Sequence, residues 1–144
     1  MTYEEKTKVL FVCSINTCRS PMAAAILSEF GGERYVASSA GTFVFGSHPI
    51  MTMAAFTLES VGISKYNYIP HRSRQLTEAL MNTNDIIVAM TEGHKRMILD
   101  LYPWHADKVK VFPADIGDFT RGDIVAYQKA YVLLKKGVFD MFLL

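Results

Sequence analysis

The chain has 144 residues, 50% of them apolar and 20% charged, which fits one folded domain over residues 1–144 and excludes a disordered or fibrous chain. A net charge of +1 supplies no global field to draw nucleic acid or an anionic membrane, so any anion chemistry has to be local. The apolar run Val9–Cys13 is too short for a signal-peptide core or a membrane span, and two cysteines are too few for a stapled secreted scaffold, so the chain reads as cytoplasmic.

Strand-like runs alternate with helical patterns. Lys8–Cys13 (KVLFVC) is short, apolar and β-branched, and predicts a buried strand. Pro21–Phe30 predicts a helix with Ser20 as N-cap, Pro21 at the first helical position and Gly31-Gly32 as its stop. Tyr35–Ser39 reads as a second strand. Pro49–Val61 reads as a helix ended by Gly62, and Thr77–Met81 as a short helix capped by Thr77. Asp85–Met90 is a third strand, followed by a helix over Glu92–Tyr102 that Pro103 closes; Lys108–Phe112 is a fourth strand. A last helix starts after Asp123, with Ile124, Tyr127, Tyr131, Leu134 and Val138 on one face. This alternation predicts an α/β fold: a single domain with a central four-stranded parallel sheet covered by helices on both faces. Ligands of such sheets sit beyond the carboxyl ends of the strands.

The turn after the first strand is Cys13-Ser14-Ile15-Asn16-Thr17-Cys18-Arg19-Ser20, and it holds both cysteines of the chain. A loop entering a helix presents unpaired N–H groups and the positive end of the helix dipole, which together attract an anion. Arg19 adds a planar fork that matches two phosphate oxygens. The same positive field favours ionised, nucleophilic sulfur on Cys13 beneath a bound phosphoryl group. Phosphoryl transfer to sulfur expels a leaving group that needs a proton, so a carboxylic acid has to reach the loop. The candidates are Asp115, Asp118 and Asp123, after the fourth strand; Asp123 also reads as the N-cap of the last helix.

The stretch Cys13–Ser20 resembles the Cys-x5-Arg-Ser signature of the low-molecular-weight protein phosphatase family. Pro21-Met22-Ala23, Ser39-Ala40-Gly41-Thr42, His71–Thr77 and Asp85–His94 extend the likeness along most of the chain. The resemblance implies Cys13 as nucleophile, Arg19 and the loop residues Ser14, Ile15, Asn16, Thr17, Cys18 and Ser20 as the phosphate cradle, and Asp118 as general acid. It also implies that Ser20 hydrogen-bonds the Cys13 sulfur and that Asn16, Ser39 and His71 belong to a network holding the loop rigid. By its own sequence setting His71 is an ordinary loop histidine. The implied substrate is a phosphorylated protein or peptide, handled without cofactor or metal, nucleic acid or membrane, by a monomer or weak dimer.

Phe119 and Ile15 depart from the family pattern, and Thr17 separates two of its branches. Phe119 stands where a proline is expected after the acid, which predicts a looser approach of Asp118. Ile15 occupies a position where the family favours glycine, which permits φ > 0. Thr17 matches the threonine of bacterial protein-arginine phosphatases, whereas tyrosine-directed members carry isoleucine there; this leans towards phosphoarginine over phosphotyrosine. Phe43 and Phe45 are candidates for the aromatic wall of the pocket. Arg72, Arg74 and Arg121 read as solvated loop charge.

Other classes compete. A pseudophosphatase that binds phosphate without turnover is the principal alternative, motivated by Phe119 and Ile15. An arsenate reductase of the same fold needs cysteines downstream of Cys18, and the chain has none. The four histidines are scattered and lack zinc-site spacing. Cys18 is placed to form a disulfide with Cys13, which predicts reversible inactivation by peroxide.

Overall fold

A computed structural model describes residues 5–144; the first four positions of the domain expected over 1–144 lie outside the described residues. Four strands, β1 (Thr7–Cys13), β2 (Tyr35–Gly41), β3 (Ile86–Ala89) and β4 (Val109–Val111), form one parallel sheet in the order β2-β1-β3-β4. Five α-helices connect and cover it: α1 (Arg19–Gly31), α2 (Thr52–Ser60), α3 (Glu78–Thr83), α4 (Glu92–Leu101) and α5 (Ile124–Phe142).

The continuous apolar run of β1 follows from burial on both faces. Val9, Phe11 and Cys13 face a core built with α1, α2 and α5. Leu10 and Val12 face the second core, with Met81 of α3 and Ile98 of α4. Val9 to Val12 are all fully buried. Each such side chain contributes roughly 1.5–3 kcal/mol through lost water contact, so β1 is the spine of the domain.

Several boundaries differ from the sequence reading for local reasons. Helix α1 starts at Arg19, one residue before the expected cap. Cys18 is its N-cap and makes no side-chain cap bond; the Ser20 hydroxyl, the expected cap, bonds Cys13 and Asn16 instead. Pro21 therefore sits third in the helix, still within the first turn, where a missing N–H costs nothing. Helix α2 begins at Thr52 rather than Pro49, because the Met51 backbone is extended at ψ 138°, with its N–H on the Thr17 carbonyl at 2.9 Å. Gly62 ends it at φ +85°, the left-handed geometry that glycine alone adopts freely. Thr77 and Asp123 cap α3 and α5 by accepting from the N–H of Leu80 and Ala126. No helix among the described residues is long and apolar enough to cross a membrane.

Strand order reverses direction of winding between β1 and β3. That crevice is where open α/β sheets hold ligands, and the Cys13–Arg19 loop and the start of α4 flank it.

Helix α5 is fitted to the sheet at Gly137, where an added Cβ would overlap the Phe112 ring. Helix propensity favours alanine over glycine by about 1 kcal/mol, but overpacking typically costs about 1–3 kcal/mol. Gly137→Ala is expected to lower unfolding free energy by about 1–2 kcal/mol net, read from the urea midpoint. An unchanged midpoint would mean that the Phe112 ring moves aside freely.

Candidate functional site

The loop after β1 closes a small cleft of about 70 Å³ lined by Cys13 to Arg19, Asp118 and Thr120. Its shape depends on Asn16, which is fully buried at φ 66°. Asparagine is among the few residues that tolerate this left-handed conformation. Ile15, where the sequence raised the question of a positive φ, does not have one; its side chain is exposed. The turn that glycine would ease is taken one residue later.

Three hydrogen bonds hold Asn16. Its carbonyl accepts from Nε2 of His71 at 2.8 Å, its Oδ1 accepts from the backbone N–H of Arg74 at 3.0 Å, and its Nδ2 donates to Ser20 Oγ at 2.8 Å. Because Ser20 Oγ accepts from Asn16, its own proton is free for Cys13 Sγ, which lies 2.8 Å away. A line of donors thus runs from Arg74 through Asn16 and Ser20 and ends on the sulfur. Arg74 also donates from Nε to the Ser39 carbonyl at 3.0 Å, so Ser39 takes part through its backbone. Arg72 donates to the Ser47 hydroxyl and carbonyl. Arg72 and Arg74 are exposed, as expected of loop charge, and both also tie loops together. Burial, first, and then the two nearby arginine charges push the His71 imidazole below its ordinary pKa, opposed by its bond to Asn16.

Among the described residues no acceptor takes the N–H of Ile15, Asn16, Thr17 or Cys18. Gly41 lets β2 approach the loop, since a Cβ there would overlap the Ser14 carbonyl. The Thr42 and Phe43 N–H groups then bond the carbonyls of Cys13 and Ser14, each at 2.9 Å. Phe43 and Phe45 are exposed and meet edge to face beside this contact. Thr17 is half-buried in the cleft lining.

The two cysteines are both buried and unpaired, but they are not equivalent. Burial raises the Cys18 thiol to about 11, so it stays protonated at the N-terminus of α1. Tyr127 and Thr120 lie beside it.

Asp118 lines the cleft; Asp115 lines a separate cavity with Thr91 and Phe112, and Asp123 caps α5. Asp118 Oδ1 accepts from the Thr120 N–H at 3.0 Å. Those bonds to Thr120, and then the charges of Arg19 and Arg121, hold its carboxyl below the ordinary range. Phe119 packs edge to face on Tyr127 at 4.9 Å, and the Tyr127 hydroxyl donates to the Thr120 carbonyl at 2.9 Å. The expectation of a looser acid loop is thus met by a different anchor: the ring and this hydrogen bond constrain the backbone that proline would have stiffened. Arg19 reaches the same segment through Nη1 and the Ile116 carbonyl at 3.3 Å.

Sequence reasoning missed His94. It is buried in the first turn of α4, with Nε2 2.8 Å from Ser14 Oγ and Nδ1 2.9 Å from Thr91 Oγ1. Only its nearness to the carboxyl end of β3 could have signalled it. Among the described residues no group of three or more His, Cys, Asp or Glu side chains is arranged to hold a metal ion.

The description "low molecular weight phosphotyrosine protein phosphatase" belongs to the family model that matches residues 8–127. A protein-arginine-phosphatase of Geobacillus stearothermophilus is 37% identical over 130 residues, covering 85% of each chain. A probable low molecular weight protein-tyrosine-phosphatase of Ralstonia solanacearum is 32% identical over 135 residues, covering 90% of each. The solved structure of the YwlE arginine phosphatase from Geobacillus stearothermophilus superposes with a TM-score of 0.86 at 33% identity, covering 94% of this chain and 90% of that one.

The buried histidines make stability depend on pH. Burial, then the Arg19 charge, pushes His94 from an ordinary 6.5 to about 4, and His71 is lowered too. Between those values the unfolded chain binds a proton that the folded chain refuses, so stability should fall as pH drops from about 6.5 to about 4. Thermal melts across that window should show the fall, and His94→Gln should flatten it.

Proposed function

The chain belongs to the low molecular weight phosphotyrosine protein phosphatase family, and on that premise we propose that it hydrolyses phosphorylated protein side chains through a phosphocysteine formed on Cys13. The observation that carries this reading is the line of hydrogen-bond donors that ends on Cys13 Sγ, in a cleft bounded by Arg19 and Asp118.

Cys13 sulfur attacks phosphorus, and the bond from phosphorus to the leaving oxygen or nitrogen breaks. The loop N–H groups and the Arg19 guanidinium hold the three equatorial oxygens, where charge is spread in the transition state. The proton on Ser20 Oγ stabilises sulfur as an anion, both before attack and as the leaving group of the second step. Asp118 protonates the departing atom. In the free chain its carboxyl is held low, which favours the ionised form. An arriving phosphoryl dianion opposes the two arginine charges and raises the carboxyl, so a proton is held there when the leaving group departs. The resulting carboxylate then takes a proton from water, which attacks the phosphocysteine and releases phosphate. No cofactor enters this scheme.

The substrate reading leans towards phosphoarginine. Thr17 lines the cleft with a short polar side chain, where isoleucine would crowd a planar guanidinium. Phe43 and Phe45 stand exposed beside the mouth and can pack against a peptide. The whole chain, 1–144, is read as one phosphatase domain acting in the cytoplasm as a monomer or weak dimer, without nucleic-acid or membrane partners.

Two outcomes test this. Cys13→Ser should abolish hydrolysis of an aryl phosphate, and Asp118→Asn should slow it about 10²- to 10⁴-fold; turnover surviving in Cys13→Ser would remove the phosphocysteine. Wild type should prefer a phosphoarginine peptide over its phosphotyrosine counterpart by kcat/KM, and Thr17→Ile should shift that ratio towards phosphotyrosine. A wide wild-type preference for phosphotyrosine would sink the arginine reading.

A further inference from the structure

Ser14 and His94 face each other across the crevice between β1 and β3, on the side opposite the Asn16 network. Their hydrogen bonds join Thr91, the His94 imidazole and Ser14 in one line. Thr91 Oγ1 accepts the backbone N–H of His94 at 3.1 Å, as N-cap of α4. Its own hydroxyl proton is then available to Nδ1 of the same imidazole, 2.9 Å away. A neutral ring that accepts at Nδ1 carries its proton on Nε2. In that tautomer Nε2–H donates to Ser14 Oγ at 2.8 Å. Burial and the adjacent Arg19 charge keep the ring neutral, which this arrangement requires. The Ser14 hydroxyl, having accepted from His94, cannot aim its proton back at the ring. Among the described residues no other side chain or backbone group takes that proton. Ser14 lines the cleft with Cys13 and Arg19.

We infer that His94 is a positioning residue that turns the Ser14 hydroxyl into the cleft, making Ser14 a side-chain donor to the bound phosphoryl group. This rests on the phosphatase reading for its catalytic consequence, but not for its binding consequence. Ser14 adds a neutral O–H donor to the amide and guanidinium donors. A hydrogen bond to a charged acceptor is the strong kind, and its loss corresponds to roughly ten- to hundredfold in affinity. His94 touches no substrate; it acts by settling which way one proton points.

The test measures inorganic phosphate binding by calorimetry and aryl phosphate hydrolysis on the same four variants. Ser14→Ala and His94→Leu should each weaken phosphate binding and lower kcat/KM by about tenfold or more. The double variant should be no worse than the worse single, because His94 acts only through Ser14. His94→Gln can present an amide N–H near the Nε2 position and should recover most of the loss. A purely structural His94 would give additive losses, or equal damage in His94→Gln and His94→Leu, and either result overturns the inference. So does parent-like phosphate binding in folded His94→Leu. If His94→Leu does not fold, His94→Asn replaces it: its amide reaches towards Thr91 but stops short of Ser14, so the Leu outcomes are expected of it. A parent that binds phosphate with these differences yet hydrolyses nothing would overturn the phosphatase reading and leave the donor assignment standing.

Discussion

A single residue in an unfavourable conformation shapes the cleft. Asn16 sits at φ 66°, a geometry that costs a non-glycine residue roughly 1–3 kcal/mol. The three hydrogen bonds that hold it, from His71, from Arg74 and to Ser20, contribute roughly 0.5–1.5 kcal/mol each and offset that cost. Reversing the chain there leaves the amides of residues 15–18 free to face one small volume. The same side chain passes a donor to Ser20 and so to Cys13. Backbone geometry and sulfur chemistry are therefore set by one asparagine.

Two supports converge on the loop, one from beside β2 and one across the crevice between β1 and β3. The Arg74–Asn16–Ser20 line ends on the Cys13 sulfur, and the Thr91–His94 pair ends on the neighbouring hydroxyl of Ser14. In the first, Asn16 Nδ2 donates to Ser20, whose own proton is available to the sulfur; in the second, a ring protonated on Nε2 leaves the Ser14 proton available in the same way. Both use neutral groups: the two histidines are held below their ordinary range by burial. Such a cradle is preorganised before an anion arrives, so little reorganisation accompanies binding. On the third side the Asp118 loop depends on Phe119 packing on Tyr127, whose hydroxyl secures Thr120.

Much of the fold was legible in the residues. The apolar run of β1, the capping residues Thr77 and Asp123, and Gly62 each act over a few positions, and each stands where its local chemistry requires. The misreadings arose where a side chain had a distant competitor. Ser20 is a good N-cap in isolation, but its hydroxyl is taken by Cys13 and Asn16. Pro49 is a good helix start in isolation, but Met51 is held extended at ψ 138° with its N–H on the Thr17 carbonyl. Ile15 raised doubt only because the residue with positive φ could not be identified without the backbone.

The site divides along the same line. From the sequence alone came the strand, the loop Cys13–Arg19 and the helix that follows, since these are contiguous and their anion chemistry depends on neighbours a few residues apart. Only the tertiary structure decided which distant groups hold that loop. His71 lies 55 positions from Asn16 and His94 lies 80 from Ser14, and no periodicity or spacing links them. It also decided that Asp118, rather than Asp115, borders the cleft. Those choices are made by how loops from separate strands pack over one end of the sheet, and a hydrogen bond of that kind exists only once the packing has brought its two ends together.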